Sequence, residues 1–598
     1  MVIKVLSRKN PIILSNNSLN IQLYGSLVGS VISDQLLTAQ ETLQHLSKLK
    51  DFDSLENFLL KSIGSFFIVI QTKNESRCYS SLVHNGFYFC KDSKDNVINI
   101  SEEEYDLITK DNKLKDQVLK RIGKVAPGLA RFPLSSIFEG IERCPAGAYI
   151  SYTNEIKIKN YLKKFFEDSN SDYDIKLSAD LLEKRLYLIL KAYKEFYKDI
   201  SLFMSGGIDS SVLLAVLKKY GLDATHYFIP YSGEESNNRK IAEYVTNHFK
   251  EDLSIVEKDK LSKSEEKELL IKRCSSGPGT LMGVMYSGYY SRKNIHPRTV
   301  ITGQNLDSMY HIDTFAPNTE YTGIYRFLVL LKSSILRLRY TKINVVIQNL
   351  KSNLFNDPKI KSSQFDQTLN SDFEHVKSKV LENDHEYNEV KNKETLKLKK
   401  FINLNEHFNL NLTSQNSYFK LIKFFRFVQN TYSNYYVLNK SEDISRLNPY
   451  GEGPILSILI NYKLPLSSIF KIKTHSHKLF KKLSGYHHNK LVKKALNYNL
   501  IGDLKRVFIY FYNKISKMAL KDKVNLYKEV ELVYDDLRQH ISIELLNLKL
   551  GDQIYIESLL DLIEKEKFID EKKCDEILRV LGTLVYLTHI YKLKKQNI

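Results

Sequence analysis

The stretch LFMSGGIDSSVLLAVL, residues 202–217, sets Ser205, two glycines, Asp209 and Ser210 between an apolar run and an amphipathic one. These residue types at these spacings can hold a phosphate. Gly206 and Gly207 can take positive φ and let backbone N–H groups converge on one point. A helix that follows directs the positive end of its dipole at that point. The hydroxyls of Ser205, Ser210 and Ser211 add donors. Asp209 is the odd member, because a carboxylate repels a phosphate. The conflict disappears if Asp209 holds Mg²⁺, which phosphates also bind. This is not the Walker loop, since no Lys follows the glycines. The plain structural alternative is a tight glycine turn with serine capping the helix.

The flanking elements must hold that turn in place. The run ISLFM reads as a buried strand, SSVLLAVLKKYG as a helix and ATHYFIPY as a second strand. RKIAEYVTNHFK is another helix, SIVEKD a third strand and TVITG (299–303) a fourth. Alternating strands and helices imply parallel β-α-β units in a doubly wound sheet. Right-handed crossovers then gather the loops after the strands on one edge. Ahead of this α/β part, LSADLLEKRLYLILKAYKEFYKD (177–199) has helical apolar spacing. Residues 1–160 read as a mostly β (α+β) domain, with GSFFIVIQT, RCYSSLV, GFYFCKD and GAYISYT as strands. The α/β core spans 175–340. Residues 341–415 form a polar Lys/Asn-rich insertion of solvated helices and linker. Residues 416–598 read as helical throughout and complete the α/β domain; their aromatic stripes read as core.

Bulk properties narrow the class. The 598 residues allow two to four domains, and 43% hydrophobic content allows a sizeable core. No apolar run is long enough to span a membrane, and MVIKVLSRKNPIILSNN is too interrupted for a secretory signal. Five scattered cysteines show neither metal spacing nor a disulfide framework, so a cytoplasmic chain with reduced thiols is expected. A net charge of +19 invites a nucleic-acid reading. Yet the lysines are spread out, and the abundance of Lys, Asn, Ile and Tyr without Trp follows the bias of an AT-rich genome. Nucleic acid is therefore not the expected partner.

SGGIDSS resembles the pyrophosphate loop of the ATP pyrophosphatase group, and most closely that of the asparagine synthetase family. TVITG opening into QNLDSMY is similar to that family's second motif, matched at Gly303 and Asp307. The resemblance implies that ATP is bound by Ser205, Gly206, Gly207, Asp209, Ser210 and Gly303. It further implies that Asp209 and Asp307 hold Mg²⁺ over the pyrophosphate. Glu234 and Glu235 fall in a segment resembling the family's acidic one after the second strand. YGSLVG, IGSFFIVI, CYSSLVHNGFYF and SIFEGIERCPAGAYISY follow the motif order of a class II glutaminase domain, the domain that precedes the synthetase in this family. The resemblance covers about 1–340 well and 440–500 loosely.

Three departures shape the expected chemistry. A class II glutaminase uses an N-terminal Cys, but Val2 follows Met1 here and the first cysteine is Cys78. The front domain should therefore not hydrolyse glutamine. The family's Glu or Tyr in the second motif is Gln304, which cannot act as a general base but can orient a substrate. The family's late lysine has several candidates in 448–485: Lys473, Lys478 and Lys481, with Arg446 and Glu452 in the same stretch as candidates for an acceptor pocket. His311 lies beside the presumed active edge as a candidate base, and no metal site is assigned to His487 and His488.

Together these readings give an ATP-dependent, AMP-forming ligase. A small-molecule or peptide carboxylate is adenylated, then joined to an amine or ammonia. β-Lactam synthetases and lasso-peptide cyclases are relatives with this logic. The rival readings are a tRNA-modifying ATP pyrophosphatase and an inactive binding scaffold. A homo-oligomer is compatible with the sequence.

Overall fold

The computed structural model describes residues 2–6, 10–15, 19–72, 74–92, 97–108, 136, 138–153, 155–162, 164–167, 175–229, 235–256, 262, 264–265, 268, 271–272, 295–303, 401, 444–461, 474–496, 584–589 and 592. Gln304, Asp307, His311, Lys473 and Glu234 lie outside the described residues, as do all but one of residues 341–415.

The front of the chain is mostly β, as its sequence suggests. A four-stranded sheet runs in the order Val2–Val5, Val97–Ser101, Phe87–Lys91, Ile141–Cys144. A six-stranded sheet runs Ile156–Asn160, Ala148–Tyr152, Ser76–Ser80, Phe66–Gln71, Asn20–Gly25, Ile12–Ser15, antiparallel throughout. Phe66 to Ile70 are all fully buried. Their strand is central and covered on both faces, which is why FFIVI shows no alternation.

The second part is built on a five-stranded parallel sheet. We label its strands β1 (Ser201–Phe203), β2 (Thr225–Phe228), β3 (Ser254–Ile255), β4 (Thr299–Ile301) and β5 (Ser445–Leu447). Their order is β3-β2-β1-β4-β5, and every neighbouring pair is parallel. The first four are the four strands expected from the sequence. The fifth corrects the reading of 416–598 as helical throughout. Three residues, SRL, carry no periodic signal. They are extended because their backbone completes the sheet edge beside β4, where Thr302 N–H donates to Leu447 O at 2.9 Å.

Among the described residues, six helices pack around the sheet, against one another and, through α1 and α4, against front strands: α1 (Ile175–Tyr197), α2 (Ile208–Lys219), α3 (Glu235–His248), α4 (Gly453–Asn461), α5 (Thr474–Ser484) and α6 (His488–Ala495). On α1, Leu182, Leu186, Ile189, Leu190 and Tyr193 are buried, a 4-3-1-3 spacing that forms one apolar face. Each such Leu or Ile contributes about 1.5–3 kcal/mol by leaving water. The apolar core runs without a break from Ile3 through the front sheets and α1 to Leu491 on α6. No helix among the described residues is long and apolar enough to cross a membrane.

Candidate active site

In a parallel sheet of this order, the strand sequence reverses direction between β1 and β4. The crevice beyond the carboxyl ends of those two strands is where such sheets place ligands. The chain puts Ser205-Gly206-Gly207 after β1 and Gly303 after β4.

The turn begins with Met204, whose N–H donates to Tyr227 O at 2.8 Å and so continues the β1–β2 ladder. Gly206 then takes φ +74°, in the left-handed region that favours glycine. Space demands glycine as well: a Cβ would lie 2.5 Å from Asn238 O on α3. Gly207 departs from the expectation of a second positive φ. It is the N-cap of α2 at φ −77° and ψ 159°, the extended geometry of a residue that opens a helix. The helix therefore starts at Ile208, earlier than the run SSVLL suggests, and Asp209 and Ser210 lie inside its first turn. That turn's backbone N–H groups have no partners within the helix and, with the dipole, favour an anion.

Hydroxyls hold the turn's shape. Gly207 N–H donates to Ser205 Oγ at 3.2 Å, and Ser205 N–H donates to Ser210 Oγ at 3.2 Å. Ser205 Oγ and Ser210 Oγ are 3.1 Å apart. Ser210 and Ser211 both donate to Gly207 O, at 3.1 and 2.8 Å. Ser205 is exposed, whereas Ser210 and Ser211 are buried. Ser211 also meets His488 Nε2 at 3.2 Å, so its hydroxyl serves packing and not the crevice.

Gly303 closes the other side. A Cβ there would lie 2.7 Å from Ser210 N and 3.1 Å from Asp209 C, so the end of β4 touches the first turn of α2. The structure thus brings Ser205, Gly206, Gly207, Asp209, Ser210 and Gly303 to one place. Asp209 is 8% exposed. Its Oδ1 accepts from Ser476 Oγ at 3.2 Å and its backbone O accepts from Tyr450 OH at 2.9 Å.

Among the described residues no three His, Cys, Asp or Glu side chains group to hold a metal. One carboxylate beside a phosphate cradle nonetheless suits Mg²⁺, which binds through one or two carboxylates and keeps phosphate and water ligands.

Other sequence candidates fall elsewhere. Lys478 is exposed on α5, two residues from Ser476 and so about 200° around the helix from the residue that meets Asp209. Lys481 is exposed too. Arg446 is half-buried on β5. Glu452 does not line an open pocket: it is buried where Gly64 of the front half meets Tyr193 of α1. Sequence reasoning missed Tyr450, Ser476 and His488. Their signal is faint, because each stands about 240–280 residues beyond its partner. Only Ser476 and His488 offered a hint, at the inward positions of the apolar patterns 476/479/480/483 and 488/491/492/495.

Residues 195–266 match the family model described as asparagine synthase. The matched asparagine synthase segment holds β1, the glycine turn, α2, β2, α3 and β3, and ends before Gly303. It supports an ATP-dependent ligase of the asparagine synthase type. No curated protein matches the chain.

Gly206→Ala should lower Tm by several degrees and weaken ATP binding together. Left-handed strain costs about 1–3 kcal/mol, and the 2.5 Å approach to Asn238 O adds to it. Thermal melts with and without ATP would check this; an unchanged melting curve and ATP shift would contradict the geometry.

Proposed function

We propose that the protein is an ATP-dependent amide-forming ligase that adenylates a carboxylate. It then passes the acyl group to an amine or ammonia without a glutaminase activity of its own. The observation that carries the reading is the cradle itself. A glycine at φ +74° leads into α2 and a buried aspartate stands in that helix's first turn, against Gly303, inside and beside the asparagine synthase segment.

In the first step an oxygen of the substrate carboxylate attacks the α-phosphorus of ATP. The new bond forms as the α–β bridging bond breaks, and pyrophosphate leaves with the electron pair. Charge grows on the leaving group, and the N–H groups opening α2, together with its dipole, face that charge. Ser205 offers the exposed hydroxyl of the turn. When bound, Mg²⁺ held by Asp209 and Asp307 supplies charge neutralisation for the phosphates. In the second step the nitrogen attacks the acyl carbon, AMP departs, and the nitrogen gives up a proton. Gln304 follows Gly303 directly and orients substrate by hydrogen bonds, since an amide cannot take the proton.

The nitrogen does not come from glutamine in this reading. Val2 occupies the place where the resemblance puts a nucleophilic Cys, and it stands half exposed at the start of its strand. Cys78 is fully buried, and burial pushes its thiol well above the usual range, which leaves it unreactive.

The test is pyrophosphate–ATP exchange by the full chain with Mg²⁺, labelled pyrophosphate and a cell extract as the carboxylate source. Exchange that depends on extract is the expected result. Absence of both exchange and ATP binding in calorimetry would overturn the reading in favour of a scaffold.

A further inference from the structure

Asp209 receives help from a part of the chain far away in sequence. Ser476 lies in the first turn of α5 and is 2% exposed. Its hydroxyl donates to Asp209 Oδ1 at 3.2 Å. Asp209 itself lies in the first turn of α2. The carboxylate therefore sits at the positive ends of two helices at once. Tyr450 OH fixes the backbone beneath it, through Asp209 O at 2.9 Å. Pinning one carboxylate oxygen in a buried site settles both the rotamer and the plane of the group. The apolar side chains Leu479 and Phe480, both fully buried, lock α5 in register, so the position of Ser476 is not free to drift.

We infer that Ser476 is a positioning residue that aims the Asp209 carboxylate at the metal–nucleotide complex. This rests on the ligase reading above. A hydroxyl suits the task better than a cation. It holds the oxygen without neutralising the charge that a divalent ion needs, and outer partners of this kind tune metal affinity through the ligand they orient.

The experiment compares the wild-type full chain with Ser476→Ala, Ser476→Thr and Asp209→Asn. Mn²⁺ is the probe, titrated in the presence of ATP and followed by the free-ion EPR signal. ATP affinity without metal is measured in EDTA by calorimetry, and Tm verifies folding. Ser476→Ala should weaken Mn²⁺ binding about tenfold, with metal-free ATP affinity unchanged. Ser476→Thr, which keeps the hydroxyl, should restore binding to within about twofold, on the low side of the same scale. If Ser476→Ala fails to fold, Ser476→Cys, close in size with a weak donor, takes its place.

Equal Mn²⁺ binding by wild type and Ser476→Ala, with binding lost in Asp209→Asn, would overturn the positioning role and leave the ligase reading standing. Equal weakening of ATP with and without metal would also overturn it, by showing a merely structural contact. Mn²⁺ binding that survives in Asp209→Asn would count against the ligase reading itself.

Discussion

Asp209→Asn should cut pyrophosphate–ATP exchange by about 10²–10³-fold, the usual cost of removing one preorganised electrostatic group at a reacting phosphate or oxyanion. The fold should survive. The amide oxygen of Asn can still accept from Ser476, and the backbone contact with Tyr450 does not involve the side chain. A Tm within a few degrees of wild type is therefore expected. Asp209→Ala is the cruder variant, because it leaves the buried Ser476 hydroxyl without its acceptor, at about 1–3 kcal/mol. A variant that folds, binds ATP and exchanges pyrophosphate at the wild-type rate would remove Asp209 from the chemistry.

The second large effect is a pH dependence at the junction of the two parts. Glu452 precedes α4 and is 2% exposed. Its oxygens accept from Gly64 N–H at 3.2 Å, in the front half, and from Tyr193 OH at 2.6 Å, on α1. Nearby, Arg185 on α1 donates to Pro454 O at 2.8 Å and to Ser457 Oγ at 2.6 Å. Burial pushes the Glu452 carboxyl up to about 7, against the opposing pull of Tyr193 and Gly64. A raised folded-state pKa means that the fold favours the protonated form. The associated stability is fully present below the unfolded value, near 4.5, and is lost as pH rises through about 7. The difference is about 2–3 kcal/mol between mildly acidic and mildly basic solution.

The protein should thus melt at higher temperature at pH 5.5 than at pH 8, and Glu452→Gln should flatten that difference. Glu452→Ala should be worse at every pH, since the buried Gly64 N–H loses its acceptor, at about 1–3 kcal/mol, and Tyr193 OH loses its 2.6 Å bond to the carboxylate. Melting curves of the three proteins across pH 5–9 decide the matter. The same pH slope in wild type and Glu452→Gln would rule out Glu452 as its source.

What the sequence alone determined is the local part. Strand, glycine turn and helix are consecutive, so SGGIDS announces its own geometry. ISLFM, ATHYFIPY, SIVEKD and TVITG are recognisable because their apolar runs are short and separated by helical periodicity. Their β-α-β order forces parallel pairing, and with it the placement of the turn at the sheet's carboxyl edge. Even here, the single positive φ at Gly206 and the extended N-cap at Gly207 were settled by α3 packing against the turn.

The long-range part belongs to the tertiary structure. β5 is a strand only because β4 offers it an edge, and nothing in SRL says so. Lys478 was eligible by type and neighbourhood, yet helical rotation leaves it on the exposed face while Ser476 takes the inward one. Glu452 looked like a pocket residue because an acidic side chain in a motif-like stretch suggests chemistry. The fold buries it instead against Gly64 and Tyr193, contacts 388 and 259 residues away. Ser476 reaches Asp209 across 267 residues. A one-dimensional pattern reports periodicity within an element. Which element packs against which follows from burying all their apolar faces at once, and that joint solution is what brings Ser476, Tyr450 and Asp209 together.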